Sequence, residues 1–83
     1  MGRMLPLAGS IRGRLIEVRQ VSIHGDRYLD LILQRPEQEG TAQATKLRVP
    51  IHAIKGGESA LTPGVMLNCS LLMGQVTGVA VET

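Results

Sequence analysis

Few side chains of this 83-residue chain could perform catalysis. The two histidines, His24 and His52, have no carboxylate at the spacing expected of an acid–base pair. His24 and Asp26 could supply two metal ligands, but without further ligands nearby an ordinary turn is favoured. The segment 55–59 places its lysine before its glycines, unlike a phosphate-binding P-loop. The sequence therefore predicts no enzyme and no cofactor or metal.

Binding of phosphates is the chemistry that the residue types favour most. The chain has nine basic and seven acidic residues, which gives a net charge of +2. Most of the basic residues are arginines, whose planar guanidinium group suits phosphate. Tyr28 is the single aromatic residue and could stack on a nucleobase. The basic residues expected on one side of the fold, and hence the candidate phosphate contacts, are Arg12, Arg14, Arg19, Arg27, Arg35, Lys46 and Arg48. A role in solubility is the alternative.

Alternating apolar and polar residues predict the β-strands that must position these side chains. The first predicted strand runs from Ser10 to Ile23. Its alternation shifts at Leu15–Ile16 and again near Gln20, which predicts a bulge or bend at each point. In the second strand Tyr28, Asp30 and Gln34 are expected to point mostly outward. The later predicted strands are Tyr28–Gln34, Ala44–Ile51, Val65–Leu71 and Gln75–Glu82.

The connections between these strands also have distinct compositions. Gly25–Asp26 is typical of a two-residue hairpin turn, and the segment 35–43 is a polar loop. Pro50 cannot donate a ladder hydrogen bond, which places the third strand at a sheet edge. The segment 52–61 has room for at most a short helical turn.

These elements predict an all-β fold, a five-stranded OB-fold-like Greek-key barrel. It forms a single domain over residues 10–83, preceded by a flexible N-terminal arm over residues 1–9. An SH3-like barrel is less favoured, because the long loop lies between the second and third strands. Cys69 falls on the apolar face of its strand and is expected to be an inert core thiol.

The sequence also bears on location. Its apolar runs are far shorter than the ~20 residues of a membrane span, and residues 1–8 are too short for a signal peptide. We therefore expect a cytoplasmic protein of a bacterium, an archaeon or a phage-infected cell, without membrane contact.

Several turn motifs occur in an order that resembles a known family. They are Gly25-Asp26-Arg27-Tyr28, Gly57-Glu58, Ala60-Leu61-Thr62-Pro63-Gly64, and Gly74-Gln75 with Gly78. Over roughly residues 25–81 the chain resembles the single-stranded DNA-binding (helix-destabilising) proteins of filamentous phages. The resemblance implies a short five-stranded protein that acts as a two-fold dimer and coats the replicating single strand cooperatively. It also implies that Tyr28 matches the tyrosine of the family's DNA-binding loop. Arg19 and Arg27 flank that loop and are assigned to the site by position and chemistry only.

Two main functions remain open from the sequence. The first is sequence-tolerant binding of single-stranded nucleic acid, expected to be DNA, through the basic face and Tyr28. The alternative is a protein-interaction or assembly module without nucleic-acid binding, which would use an edge strand or the apolar surface around Met66, Leu72 and Met73. Binding of a small ligand or carbohydrate is a third, weaker hypothesis. A homodimer is expected in each case, because pairing would cover an exposed sheet edge.

Overall fold

The computed structural model describes residues 8–82 and contains five antiparallel strands in one sheet. Their bounds are β1 Ala8–Ile23, β2 Asp26–Gln34, β3 Thr45–Pro50, β4 Met66–Leu72 and β5 Gln75–Val81. The prediction of an all-β chain with five strands is confirmed. Residues 1–7 of the predicted arm lie outside the described residues, whereas Ala8 and Gly9 belong to β1.

The strand order across the sheet is β3-β2-β1-β4-β5. The first four strands thus have the spatial order 4-1-2-3 of a Greek key. The 16-residue β1 joins the two halves of the sheet. Its first part, from Ala8 to Arg14, pairs with β4, and its second part, from Arg14 to Ile23, pairs with β2.

One of the two predicted irregularities in β1 is present. The register with β2 shifts between Leu15 and Glu17, which confirms the bulge expected at Leu15–Ile16. The shift expected near Gln20 is wrong, because the register is continuous from Glu17 to Ile23. Gln20 lies opposite the core residue Leu29, and its side chain binds Glu58 instead of packing in the core. A polar residue thus interrupts the apolar pattern without interrupting the ladder.

The sheet curls around an aliphatic core. Inward apolar side chains from all five strands are buried, among them Leu29, Leu31 and Leu33 of β2. The edge strands β3 and β5 lie at opposite ends of the strand order, yet their Cα atoms approach within 8 Å at several positions. Within residues 8–82 no ladder joins them, so the sheet is curled but not closed. Pro50 lies at this edge, as predicted.

The segment between β3 and β4 packs against one end of the curled sheet. It contains two 3-10 turns, Ile51–Ala53 and Glu58–Ala60, where the sequence predicts at most a short helical turn. Ile54 and Leu61 are buried, and Ile54 forms a parallel bridge with Val79 of β5. Residues 8–82 contain no helix long and apolar enough to cross a membrane.

The polar loop after β2 is folded around Gln38. A third 3-10 turn spans Pro36–Gln38. Gln38 is only 4% exposed, and its Oε1 accepts hydrogen bonds from the Arg35 backbone N–H and the Thr45 hydroxyl. The Gln34 side chain donates to the carbonyls of Gln38 and Thr41. Side-chain amides therefore organise a segment that has no apolar core of its own.

Candidate nucleic-acid interface

A cleft of about 660 Å³ lies where the edges of β3 and β5 approach each other. Tyr28 of β2 and Lys46 and Arg48 of β3 line one side. The turn between β4 and β5 and the start of β5 line the other side, with Gly74, Gln75, Val76 and Thr77. The cleft therefore brings together the single aromatic residue and two of the predicted phosphate contacts.

The pairing of the strands explains why Tyr28, Lys46 and Arg48 lie on the same face of the sheet. Leu29 and Leu31 point into the core, so alternation places Tyr28 and Asp30 on the outer face. Tyr28 lies opposite Pro50, Asp30 opposite Arg48, and Ile32 opposite Lys46. Directly opposed residues in an antiparallel pair point to the same face. The outer face of β2 and β3 thus carries an aromatic ring next to two cations.

Asp30 forms the centre of a charge network on this face. Its Oδ1 accepts a hydrogen bond from Arg48 Nε at 2.8 Å, and its Oδ2 accepts one from Arg48 Nη2 at 3.1 Å. Lys46 Nζ lies 3.7 Å from Oδ2. The side chain of Asp30 points outward, as the sequence predicts. It is nevertheless only 7% exposed, because the two cations of β3 lie against it.

These contacts stabilise the ionised form of Asp30. The hydrogen bonds from Arg48 lower the pKa of the carboxyl group, and the nearby charges of Arg48 and Lys46 act in the same direction. Burial acts in the opposite direction but does not prevail. The same hydrogen bonds raise the pKa of Arg48.

Arg19 extends this row of charges onto β1, where it lies opposite Asp30. Its Nε donates to Glu17 Oε2 at 2.6 Å. This hydrogen bond lowers the pKa of Glu17 and raises that of Arg19. This row of charges on the outer face therefore comprises three cations, Arg19, Lys46 and Arg48, and two carboxylates, Glu17 and Asp30, with one net positive charge among them.

The other predicted phosphate contacts lie elsewhere. Arg12 pairs with Glu82 at 2.8 Å, and Arg14 lies 3.8 Å from Glu39 and also donates to the Gly64 carbonyl. Both are on the part of β1 that pairs with β4, and neither lines the cleft.

Arg27 and Arg35 are also separated from the outer face of β2 and β3. Arg27 is two residues before Leu29 in β2, so its side chain lies on the same, inner side of the sheet. There it binds Glu58 at 3.3 Å. The side chain of Arg35 is 13% exposed and pairs with Glu37 at 2.6 Å. The single basic face expected from the sequence is thus only partly present.

Each of the seven basic candidates has a carboxylate within 4.0 Å. Two of these pairs join residues that are two apart in the sequence, Glu17 with Arg19 and Arg35 with Glu37. This spacing puts Glu17 and Arg19 on one face of β1, whereas Arg35 and Glu37 lie at the 3-10 turn after β2. The other partners are distant in the chain and depend on strand pairing and loop packing.

The cleft also contains residues that sequence reasoning missed. His52, Gln75 and Thr77 line it, although a turn motif is the only sign of Gln75 and no motif marks the other two. Their position results from the curling of the sheet, which brings β5 beside β3. Among residues 8–82, no group of three or more His, Cys, Asp or Glu side chains is arranged to hold a metal ion.

No protein-family model, curated protein or solved structure matches this chain. The geometry and chemistry of the cleft are therefore the basis for a functional proposal.

Proposed function

We propose that this protein binds single-stranded DNA, with little dependence on sequence, in the cleft between β3 and β5. The observation that carries the proposal is the presence of Tyr28, Lys46 and Arg48 in one open cleft. An aromatic ring can stack on any base, and neighbouring cations can bind the phosphates on either side. This combination selects unpaired bases, because a duplex does not expose the faces of its bases.

The strand order supports a related proposal about the fold. A curled sheet of order β3-β2-β1-β4-β5 with its edges in contact is consistent with the partly open Greek-key barrel of the OB-fold. In that fold strands 2 and 3, with the loops joining strands 1–2 and 4–5, bind oligonucleotides. The cleft is lined by β2, β3 and the turn between β4 and β5. The relation to the filamentous-phage proteins rests on the turn motifs and is part of the same proposal.

The ion pairs set the expected strength of binding. Arg48 uses Nε and Nη2 to bind Asp30, which leaves Nη1 and the second hydrogen of Nη2 for a phosphate. Lys46 is 61% exposed and lies 3.7 Å from Asp30, so its ammonium group can also turn to a phosphate. Because Asp30 competes for both cations, we expect modest affinity that weakens with added salt.

A protein-interaction module is the second candidate. It is favoured by Leu72 and Met73, which are 58% and 82% exposed at the β4–β5 turn. Insertion of a partner's strand between β3 and β5 is disfavoured. An inserted strand needs about 9.6 Å between its two neighbours, whereas Cα atoms of β3 and β5 approach within 8 Å. The predicted homodimer would therefore use a surface such as this turn, not a sheet edge.

Fluorescence anisotropy with labelled oligo-dT and a duplex, at low and high salt, tests the proposal. We expect preference for the single strand, weakening with salt, and a loss of about 1–3 kcal/mol of binding energy in Tyr28→Leu. Tyr28→Phe keeps the ring and serves as the matched control. Equal binding of duplex and single strand, or no binding at low salt, would overturn the proposal. Salt-independent self-association that is lost in Met73→Asn would favour the second candidate.

A further inference from the structure

A second, smaller groove of about 270 Å³ lies beside the cleft on the outer surface of β4 and β5. Lys55 lines it, together with Asn68 and Ser70 of β4. His52, Ala53 and Thr77 line both the groove and the cleft. The two depressions are thus neighbouring parts of one surface, on either side of these shared residues.

Lys55 differs from the other basic residues of the described chain. Within residues 8–82 it is the only lysine or arginine without a carboxylate within 4.0 Å. Its side chain is exposed, so its full charge is available to a ligand. The charges of Lys46 and Arg48 in the cleft, by contrast, are partly neutralised by Asp30.

The backbone holds Lys55 in place over β5. The Lys55 N–H donates to the Val79 carbonyl at 2.9 Å, and the preceding residue, Ile54, is buried and bridges to Val79. A cation on an anchored backbone loses less conformational entropy on binding than one on a free loop. The amide of Asn68 and the hydroxyl of Ser70 add hydrogen-bonding groups to the same groove.

We infer that single-stranded DNA bound in the cleft continues past His52 into this groove, where Lys55 binds a phosphate. The inference rests on the proposed function and extends its binding site beyond β2 and β3. The ligand class follows from the continuity with the cleft and from the free positive charge. A short oligonucleotide fills the cleft alone, whereas a longer one also reaches Lys55.

The test compares two lengths of labelled oligo-dT, of about 4 and about 16 nucleotides, the limits of the site sizes known for one OB-fold. Lys55→Gln is expected to weaken binding of the long oligonucleotide about fivefold at about 0.1 M salt, and to reduce the slope of log K against log salt by about 0.7. Binding of the short one should not change. Lys46→Gln, inside the cleft, should weaken both lengths.

Thr62→Glu is the matched control for net charge. It makes the same change of one charge unit as Lys55→Gln, at an exposed position that lines neither depression. A general effect of the protein's net charge on DNA binding would therefore weaken binding by Thr62→Glu as well, and would do so for both oligonucleotide lengths.

The possible failures are distinguishable. If the wild type binds neither oligonucleotide, the proposed function itself is wrong. If Lys46→Gln weakens both lengths but Lys55→Gln binds the long one like the wild type, only the extension is wrong. An equal loss for both lengths in Lys55→Gln would also overturn it, because the effect would not depend on reaching the groove.

Discussion

Asp30 of β2 and Arg48 of β3 form a two-point ion pair across the outer face of the sheet, with N–O distances of 2.8 and 3.1 Å. The two partners differ in their access to water. The side chain of Asp30 is 7% exposed and that of Arg48 is 46% exposed. Loss of one partner is therefore not equivalent to loss of the other.

We expect Arg48→Gln to lower the free energy of unfolding more than Asp30→Asn does. Removal of Arg48 leaves a buried carboxylate with only Lys46 at 3.7 Å, whereas removal of the Asp30 charge leaves two cations that reach water. An uncompensated buried charge is the costlier outcome. Urea unfolding at neutral pH measures the order, and Lys46→Gln, which keeps the two-point pair, should be the mildest of the three. The reverse order would show that the pair is not buried in solution.

The same pair makes stability depend on acidity. Because the pKa of Asp30 is lower in the folded protein than in the unfolded chain, its ionisation favours folding above about pH 4. This contribution declines as the pH falls from about 4 through the folded pKa. Glu17 acts in the same direction through Arg19. Urea midpoints between about pH 2 and 7 should fall less steeply in Asp30→Asn than in the wild type, and parallel curves would contradict the prediction.

Gln38 is expected to be essential for the fold of the loop after β2. Gln38→Leu leaves the Arg35 N–H and the Thr45 hydroxyl without their acceptor. An unsatisfied buried polar group costs about 1–3 kcal/mol, so we expect a loss of stability in that range. Gln43→Ala, at an exposed position of the same loop, is the matched control. Chemical denaturation of the two variants gives the comparison, and equal stabilities would refute the role of Gln38.

The turn between β4 and β5 carries a strained residue. Met73 and Gly74 have φ angles of 55° and 76°, the left-handed values of a type I′ turn, which favours Asn-Gly. Met73→Asn should raise stability by about 1 kcal/mol, since the left-handed region costs ordinary residues about that much. The turn between β1 and β2 is His24–Gly25, one residue earlier than the predicted Gly25–Asp26, because Asp26 already pairs with Ile23. His24 has a φ of 51°, and His24→Asn should give a smaller gain, because histidine is itself enriched in this region. Thermal unfolding that shows no gain at Met73 would contradict this account.

Cys69 should be chemically inert in the folded protein. Its side chain is fully buried, and burial raises the pKa of the thiol to about 11. Almost no thiolate is then present at neutral pH, and the thiolate is the reactive form. A thiol reagent should react slowly with the native protein and rapidly in denaturant. Rapid reaction without denaturant would show that β4 opens readily.

Local pattern was sufficient to predict much of this fold. Alternation marked all five strands, the Leu15–Ile16 shift marked a real bulge, and Pro50 marked an edge strand. The pattern failed at Gln20, where a polar residue lies on the inner face beyond the core and binds Glu58. A polar side chain at such a position looks the same in the sequence as a change of register.

The candidate site was less predictable than the strands. Tyr28, Lys46 and Arg48 were named from residue type, and they do lie together. Residue type did not predict the carboxylate partners that offset the charge of these cations. It also did not predict that Arg12, Arg14, Arg27 and Arg35 lie away from the cleft. These relations depend on which residues face each other across strands and on how the loops pack.

The sequence by itself determined the all-β character, the approximate strand bounds and the apolar face of each strand, because these depend on neighbours one or two residues apart. Only the tertiary structure decided that β3 meets β5, that Asp30 is buried between cations and that Lys55 is free beside the cleft. Those facts come from the curling of the sheet, which brings together residues far apart in the chain, and no local pattern records such contacts.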